Sequence, residues 1–291
     1  MDKITSVRAQ QIIDCKCRPC VEVEIRTESG AVGRGAAPTG SSVGMHEAVV
    51  LRDGDPARWG GLGVLKAVQN VETILAPALI GMDVADQAAL DARMIALDGT
   101  PDKSRLGGNA IYSTSIAAFR AAADARRLPL YAHIAGGPIR TVPVPCFNVV
   151  NGGKYDHFTQ GFNEFLIVPY GTDSVDQAIE MAVAVFHKLG AVLTEHLGHK
   201  PQVASSYGYA APSDDPELVL SLMQRAAPLH RLVITGGLAS VDPLCEVLAD
   251  VTGLVVERPA LHEATARGIA FLAAGQPPDW QPAPLERTFV P

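Results

Sequence analysis

Aromatic residues are scarce, at 5% of the 291 residues, and charged residues reach only 19% beside 47% hydrophobic ones. Large aromatic anchors therefore cannot dominate the interior, and small Ala- and Val-rich elements must build it. So little charge beside so much apolar sequence excludes an intrinsically disordered chain. No apolar run approaches the roughly 18 residues of a membrane span, which argues against a membrane protein. The N-terminal stretch MDKITSVRAQQ lacks a secretory apolar segment, so a cytoplasmic location is expected. There is no basic block: the net charge is −7, and nucleic acid is not an expected partner. Cysteines number five, an odd count without an export signal, which excludes a disulfide scaffold. Internal repeats are absent. What the chain does have is glycine (27) and proline (21), enough to punctuate many short elements.

Residues 3–37 read as strands, with period-two alternation over Val21–Ile25 and a turn at Glu28-Ser29-Gly30. Residues 38–63 are loop-like, and helical spacing runs from Lys66 to Leu79. The strongest helix signal covers 104–126, with Ser104 as its expected cap, and a short helix opens at Pro129 and stops at Gly136-Gly137-Pro138. Strands then follow at Val142–Val150 and Glu164–Pro169. An amphipathic helix is expected over 174–196, its apolar face Val175, Ile179, Val183, Phe186 and Leu189, and another over 216–226. A strand at 231–237, a helix at 241–251, a strand at 254–257 and a helix at 263–274 complete the pattern, before a proline-rich extended tail over 276–291.

Blocks of residues up to about 226 resemble the enolase (phosphopyruvate hydratase) family, in order and without large gaps. They are Ile12-Ile13-Asp14, Thr39–Gly44, His46-Glu47-Ala48, Leu51–Asp55, Leu97–Thr100, Lys103-Ser104, Gly108-Asn109-Ala110, Ser115-Ile116-Ala117, Pro129-Leu130-Tyr131, Asn151-Gly152-Gly153 and Glu164-Phe165. The resemblance implies an N-terminal α+β cap domain, a (β/α)₈ barrel behind it, a dimer, Mg²⁺ and the dehydration of 2-phosphoglycerate to phosphoenolpyruvate in glycolysis. Residues from about 227 resemble instead the C-terminal end of glycerol kinase-type (FGGY) sugar kinases. That likeness is carried by Arg231–Ser240, Leu248–Val251, Val255–Pro259 and Glu263–Ala270. The expected fold is thus an enolase-like α+β cap domain (1–138), an incomplete α/β, partly barrel-like region (139–226) and a kinase-like βαβα tail (227–291).

The chemistry implied needs a base that is unprotonated near neutral pH and acids that hold a divalent cation against the developing charge. In the family that base is a lysine late in the barrel, whereas Lys200 is the last lysine of this sequence. The family's acidic Gly-Asp-Glu-Gly-Gly segment matches Ser205-Ser206-Tyr207-Gly208-Tyr209, which puts Tyr207 at the position of the general acid. Its phenol, of pKa about 10, could donate a proton but not replace a carboxylate's charge. Tyr155 and Asn163 fall at substrate-binding positions of the family, Glu164 at a site carboxylate, and Ser42 at a loop ligand of the second Mg²⁺. A barrel takes about 250 residues, more than the sequence offers after Thr141.

The expectation is a degenerate enolase-family pseudoenzyme that binds Mg²⁺ weakly, if at all. It would pair with itself or with a full-length enolase. Two alternatives stand beside it: a residual lyase using Glu164 and Tyr207, and a nucleotide-binding kinase remnant using Gly236 and Gly237, where glycine lets backbone approach a phosphate. The sequence lacks the kinase's second lobe: its Asp98-Gly99-Thr100 belongs to the enolase-like run. Cys15, Cys17 and Cys20 invite a metal reading, but no nearby Cys or His supplies a fourth ligand, and a strand-turn-strand is the plainer account. Glu195, His196 and His199 suit the end of a helix beside Gly198.

Overall fold

A computed structural model describes residues 1–38, 44, 46–139, 142–155, 158–204, 206–260 and 284–291. The chain divides into two compact units, Met1–Ile139 and Arg140–Pro291.

The first unit opens with β1 (Ile4–Ile13), β2 (Pro19–Thr27) and β3 (Val32–Ala37), an antiparallel sheet in the order β1-β2-β3. Alternation buries Val21, Val23 and Ile25 on one face of β2. Against that sheet lies α4 (Gly108–Ala125), whose Ala117, Ala118, Ala121 and Ala122 are buried. Glycine on β3 and alanine on α4 let the two backbones approach. A Cβ added at Gly33 would come within 2.9 Å of Ala121 Cα and closer still to the Ala117 carbonyl, and one at Gly35 within 2.6 Å of Ala117 N.

Leu65–Asn70 (α1) and Ala76–Leu79 (α2) are joined through Val71–Leu75, a turn wound as π rather than α. Pro77 accounts for it. Proline cannot donate to the carbonyl one α-turn back, and the preceding amide, Ala76 N–H, bonds instead to Val71 C=O five residues earlier. Then come α3 (Gln87–Asp98), capped by Asp86 and stopped by left-handed Gly99, and α5 (Leu130–Ala135), entered at Pro129 and stopped by left-handed Gly136.

Helix α4 starts at Gly107, not at Ser104, because the residues before it are engaged elsewhere. Asp98, 1% exposed, accepts from the Thr100 amide (2.9 Å), the Thr100 hydroxyl and the Leu106 amide (2.7 Å). Burial pushes its carboxyl upward, but the Thr100 hydroxyl and the two amides outweigh that and hold it below the usual carboxylate range. The Asp-Gly-Thr segment is therefore a knot that orients α3 on α4. It does not present its acid to solvent.

The second unit contains β4 (Phe147–Tyr155), β5 (Phe158–Ile167), α6 (Val175–Leu197), β6 (Tyr209–Ala210), α7 (Pro216–Ala226), β7 (Arg231–Val233), α8 (Asp242–Thr252), β8 (Val255–Pro259) and β9 (Leu285–Phe289). Two three-stranded sheets form, β5-β4-β6 and β7-β8-β9. In the first, β4 pairs antiparallel with β5 and parallel with β6; in the second, β7 and β8 are parallel and β9 antiparallel. Among the described residues there is no closed barrel, and the strands at 231–233 and 255–259 do not join those at 147–167.

One core nevertheless spans both sheets, from Val149, Val150 and Ile167 through Leu189, Leu193, Val219 and Met223 to Leu248, Val256 and Phe289. Helix α7 ties the halves together: Arg225 pairs with Glu195 of α6 at 2.9 Å, and Gln224 donates to the Thr252 carbonyl at the end of α8 (3.0 Å).

Three expectations change. The strand expected from Val142 starts at Phe147, since Pro143 and Pro145 have no N–H to pair. Of the apolar line expected on α6, Val175, Ile179 and Val183 are exposed, whereas Phe186 packs against the core and Leu189 is buried, together with Ala178, Ala182 and Leu193. The proline-rich tail ends in a paired strand, with Phe289 opposite Val256 and both buried. The helix expected at 263–274 lies outside the described residues.

Candidate functional site

The enolase-like candidates gather around β4. Across the sheet, Ala210, Asn151 and Glu164 share one row. Asn151 is 3% exposed and its side chain is committed: Oδ1 accepts from the Gly208 amide at 2.9 Å. Glu164 and Asn163 are exposed on β5, the outer strand, while their neighbours Phe165 and Ile167 turn into the core. Tyr155 ends β4; its side chain, like the whole of Ser42, lies outside what is described.

Tyr207 precedes β6. It is 60% exposed with left-handed backbone (φ 69°), in a turn where its amide donates to Ala204 C=O (3.0 Å) and Ala204 N–H donates to Gly208 C=O (2.8 Å). Sites in α/β sheets and barrels form beyond the C-terminal ends of the parallel strands. Tyr207 stands at the opposite, entering end of β6. Glu164 lies two strand spacings from β6, about 10 Å, and Tyr207 is displaced further along the strand direction. The structure does not bring this acid and this carboxylate together.

Two polar groups near the turn had no sequence signal. Asn148 donates Nδ2 to the Ser206 carbonyl at 3.4 Å, while its Oδ1 is buried without a partner. Gln160, 4% exposed, donates to the carbonyls of Ser213 and Asp214 (both 3.2 Å) and accepts from the Phe162 amide (3.1 Å). Both amides serve to hold loops around β6.

A divalent cation needs several oxygen ligands converging on one point. Among the described residues no three His, Cys, Asp or Glu side chains form a group that could hold a metal. Glu164 has Asn151 and Ala210 for row neighbours, not acids. The described residues do not fit the family's magnesium. Cys15 and Cys17 are exposed and Cys20 is buried, so those three thiols do not converge either. Glu195 is paired to Arg225, and His196 and His199 are exposed at the end of α6, where left-handed Gly198 stops the helix.

In the tail, β7 runs into Thr235-Gly236-Gly237. Gly236 is left-handed (φ 82°), its carbonyl accepts from Ala239 N (3.0 Å), and the space where a side chain would sit is open. Behind the turn lies Arg258, 5% exposed. Its Nη1 donates to Ala239 C=O (3.0 Å) and Asp242 Oδ1 (2.5 Å), and its Nη2 to Glu286 Oε1 (3.0 Å). Arg287 also binds Asp242, and reaches Glu246 at 3.2 Å. The hydrogen bond from Arg258 above all, and the charges of both arginines, hold Asp242 below the usual carboxylate range. Arg258, behind the glycine turn, is thus already neutralised by Asp242 and Glu286.

Among the described residues no helix is long and apolar enough to cross a membrane. Residues 4–134 match the enolase N-terminal domain, residues 139–228 the enolase C-terminal TIM barrel domain, and residues 214–276 the C-terminal domain of the FGGY family of carbohydrate kinases. The last two overlap over 214–228, where α7 packs against both α6 and α8. Over residues 4–228 the chain is an enolase-family relative, and residues 214–276 are similar to the FGGY C-terminal domain, the two matches meeting at α7.

Proposed function

We propose that this chain is an enolase-family relative with no 2-phosphoglycerate dehydratase turnover. One observation carries the reading. The enolase-like run gives way to kinase-like sequence at 214–228, and no lysine stands anywhere in 201–291. The base that the family resemblance implies has no counterpart there, and without a base the carbon acid keeps its proton. The exposed Glu164, the entering-end position of Tyr207 and, among the described residues, the lack of converging acids support the same reading. What persists in this reading is the α+β cap unit as a folded body, and with it a capacity to pair with itself or with a full-length enolase.

The test is direct. Purified protein with Mg²⁺ and 2-phosphoglycerate is followed by the ultraviolet absorbance of the enol product, and no rise above the buffer rate is expected. Turnover lost in Glu164→Ala or Tyr207→Phe overturns the proposal, whereas turnover that survives both belongs to contaminating enolase. A second reading, residual nucleotide contact at Gly236 and Gly237, is favoured by the open, left-handed turn after β7. Isothermal titration with ATP tests it, and absence of heat at millimolar nucleotide removes it.

A further inference from the structure

The hairpin between β1 and β2 presents two thiols for which the enolase relationship has no use. Asp14 builds the turn. Its Oδ1 accepts from the amides of Lys16 (2.8 Å) and Arg18 (2.9 Å), and its Oδ2 takes the Arg18 guanidinium at 3.1 Å. Backbone bonds close the loop twice: Cys17 N–H to Asp14 C=O (3.0 Å) and Asp14 N–H to Arg18 C=O (2.9 Å). The result is a three-residue loop, Cys15-Lys16-Cys17, whose last residue is left-handed at φ 56°. Such loops ordinarily place glycine at that position; here it holds a thiol.

Cys15 and Cys17 are exposed, and Cys20, three residues on, is buried in β2. The buried thiol therefore leaves a pair, not a trio, open to solvent. Residues two apart in sequence have Cα atoms at most about 7 Å apart even in a fully extended chain, and a tight turn draws them closer. A disulfide needs Cα atoms about 4.4–6.8 Å apart. Positions one and three of this tight loop therefore lie within the Cα span that a bridge needs.

We propose that Cys15 and Cys17 form a reversible dithiol–disulfide pair that exchanges with small-molecule disulfides such as oxidised glutathione. The thiolate of one cysteine attacks a glutathione sulfur, a protein–glutathione S–S bond forms, and one glutathione thiolate leaves. The thiolate of the other cysteine then attacks the protein sulfur of that mixed disulfide and expels the second glutathione. Two protein thiols give up two electrons and become one S–S bond. The glutathione disulfide takes those electrons, and the two protons end on the departing thiolates. The ring encloses a single residue and faces solvent, which places the bond among the labile, easily reduced disulfides. The other cysteines are internal controls: Cys146 is exposed and stands alone, while Cys245 and Cys20 are buried.

The experiment uses the full chain, reduced, freed of reductant and exposed to graded ratios of reduced to oxidised glutathione. Intact mass and tryptic mapping follow. Cleavage after Lys16 leaves the flanking peptides joined only if a bridge has closed, and fragmentation of the joined pair assigns its second sulfur to Cys17 rather than Cys20. The expected result is a Cys15–Cys17 bridge, reversed by excess reduced glutathione, with Cys146 stopping at the glutathione adduct. Cys15→Ser should leave Cys17 as an adduct, and Cys17→Gly, which suits the left-handed position, should do the same at Cys15. Glutathione adducts on Cys15 or Cys17 of the parent chain without closure would overturn the proposal. So would a chain in which neither thiol reacts while Cys146 does.

Discussion

Replacing Gly33 by alanine tests the way α4 lies on the sheet. The added methyl would sit 2.9 Å from Ala121 Cα and nearer still to the Ala117 carbonyl, a fit that only a retreat of helix or strand by about an ångström relieves. Retreat is opposed on three sides. The Ser113 hydroxyl donates to the Val21 carbonyl at 3.0 Å, Arg120 Nη1 to the Arg34 carbonyl at 2.8 Å, and the Val32 amide to Asp124 Oδ2 at 2.8 Å. Overpacking costs roughly 1–3 kcal/mol, and loss of one or two of these hydrogen bonds adds about 1 kcal/mol each. A total near 3–4 kcal/mol is expected. With a urea m-value of about 2 kcal/mol/M, the midpoint should fall by about 1.5–2 M. Trp59 lies in this unit and Trp280 beyond it, so tryptophan fluorescence in a Trp280→Phe background reads the transition of interest. Gly30→Ala is the comparison: its Cβ meets nothing within 4 Å, and only left-handed strain at φ 85° is added, about 1–2 kcal/mol. If Gly33→Ala costs no more than Gly30→Ala, close packing of glycine on alanine is not what holds this sheet.

Three further outcomes follow from the structure. Asp98→Asn should cost about 1–3 kcal/mol, because one of its two accepting oxygens becomes an amide facing the Leu106 or Thr100 N–H. The Asp98 carboxyl is held low in the folded state, so its contribution is present above the unfolded carboxylate pKa of about 3.9 and lost as pH falls through the folded value. Thermal melts from pH 7 downward should therefore show a shallower acid loss in Asp98→Asn than in the parent. Asp242→Asn should weaken the hold of α8 on β9, seen as faster amide exchange over 285–289, and the parent should show the same loosening as acid protonates Asp242, since its folded pKa is also depressed. Glu164→Gln, exposed on an outer strand, should leave the melting temperature of the second unit unchanged to within about 0.5 kcal/mol in stability.

Sequence carried α6, α7 and α8 well, and the reason is local. Ser174 and Asp215 cap α6 and α7 through their own side chains, and Gly198 and Gly253 end α6 and α8 in left-handed conformation. Helix α3 went unread although Asp86 and Gly99 bracket it. Its buried residues are only Leu90, Met94 and Asp98, too thin a stripe to stand out among alanines. The start of α4 depended on Asp98 reaching forward to Leu106, a contact no periodicity reports. Among the described residues strand β9 pairs with β8, about thirty residues earlier, and its own pattern is exposed except at Phe289, so the pairing was not legible. Which side of the N-terminal half of α6 faces inward was not legible from the apolar count, and Val175, Ile179 and Val183 meet solvent while Phe186 and Leu189 of the same line pack in the core.

At the candidate site, the residue types were legible and their placement was not. Tyr207 could be set at the acid position by likeness, but β6 is two residues long, and the turn before it decides at which end of the sheet the phenol stands. The registers that separate Glu164 from that turn are long-range pairings through β4. The absence of a lysine after residue 200, in contrast, needed no structure at all.

The π-wound turn at Val71–Leu75 holds one residue more than a regular helical turn would, while Val71, Leu75 and Leu79 all stay buried on the same side. That makes it the place in the cap unit where the chain length can change by one without rotating the flanking segments. Excising Thr73 together with Pro77→Ala would let the turn relax to ordinary winding, whereas a one-residue excision within α4 would swing every later alanine off the sheet.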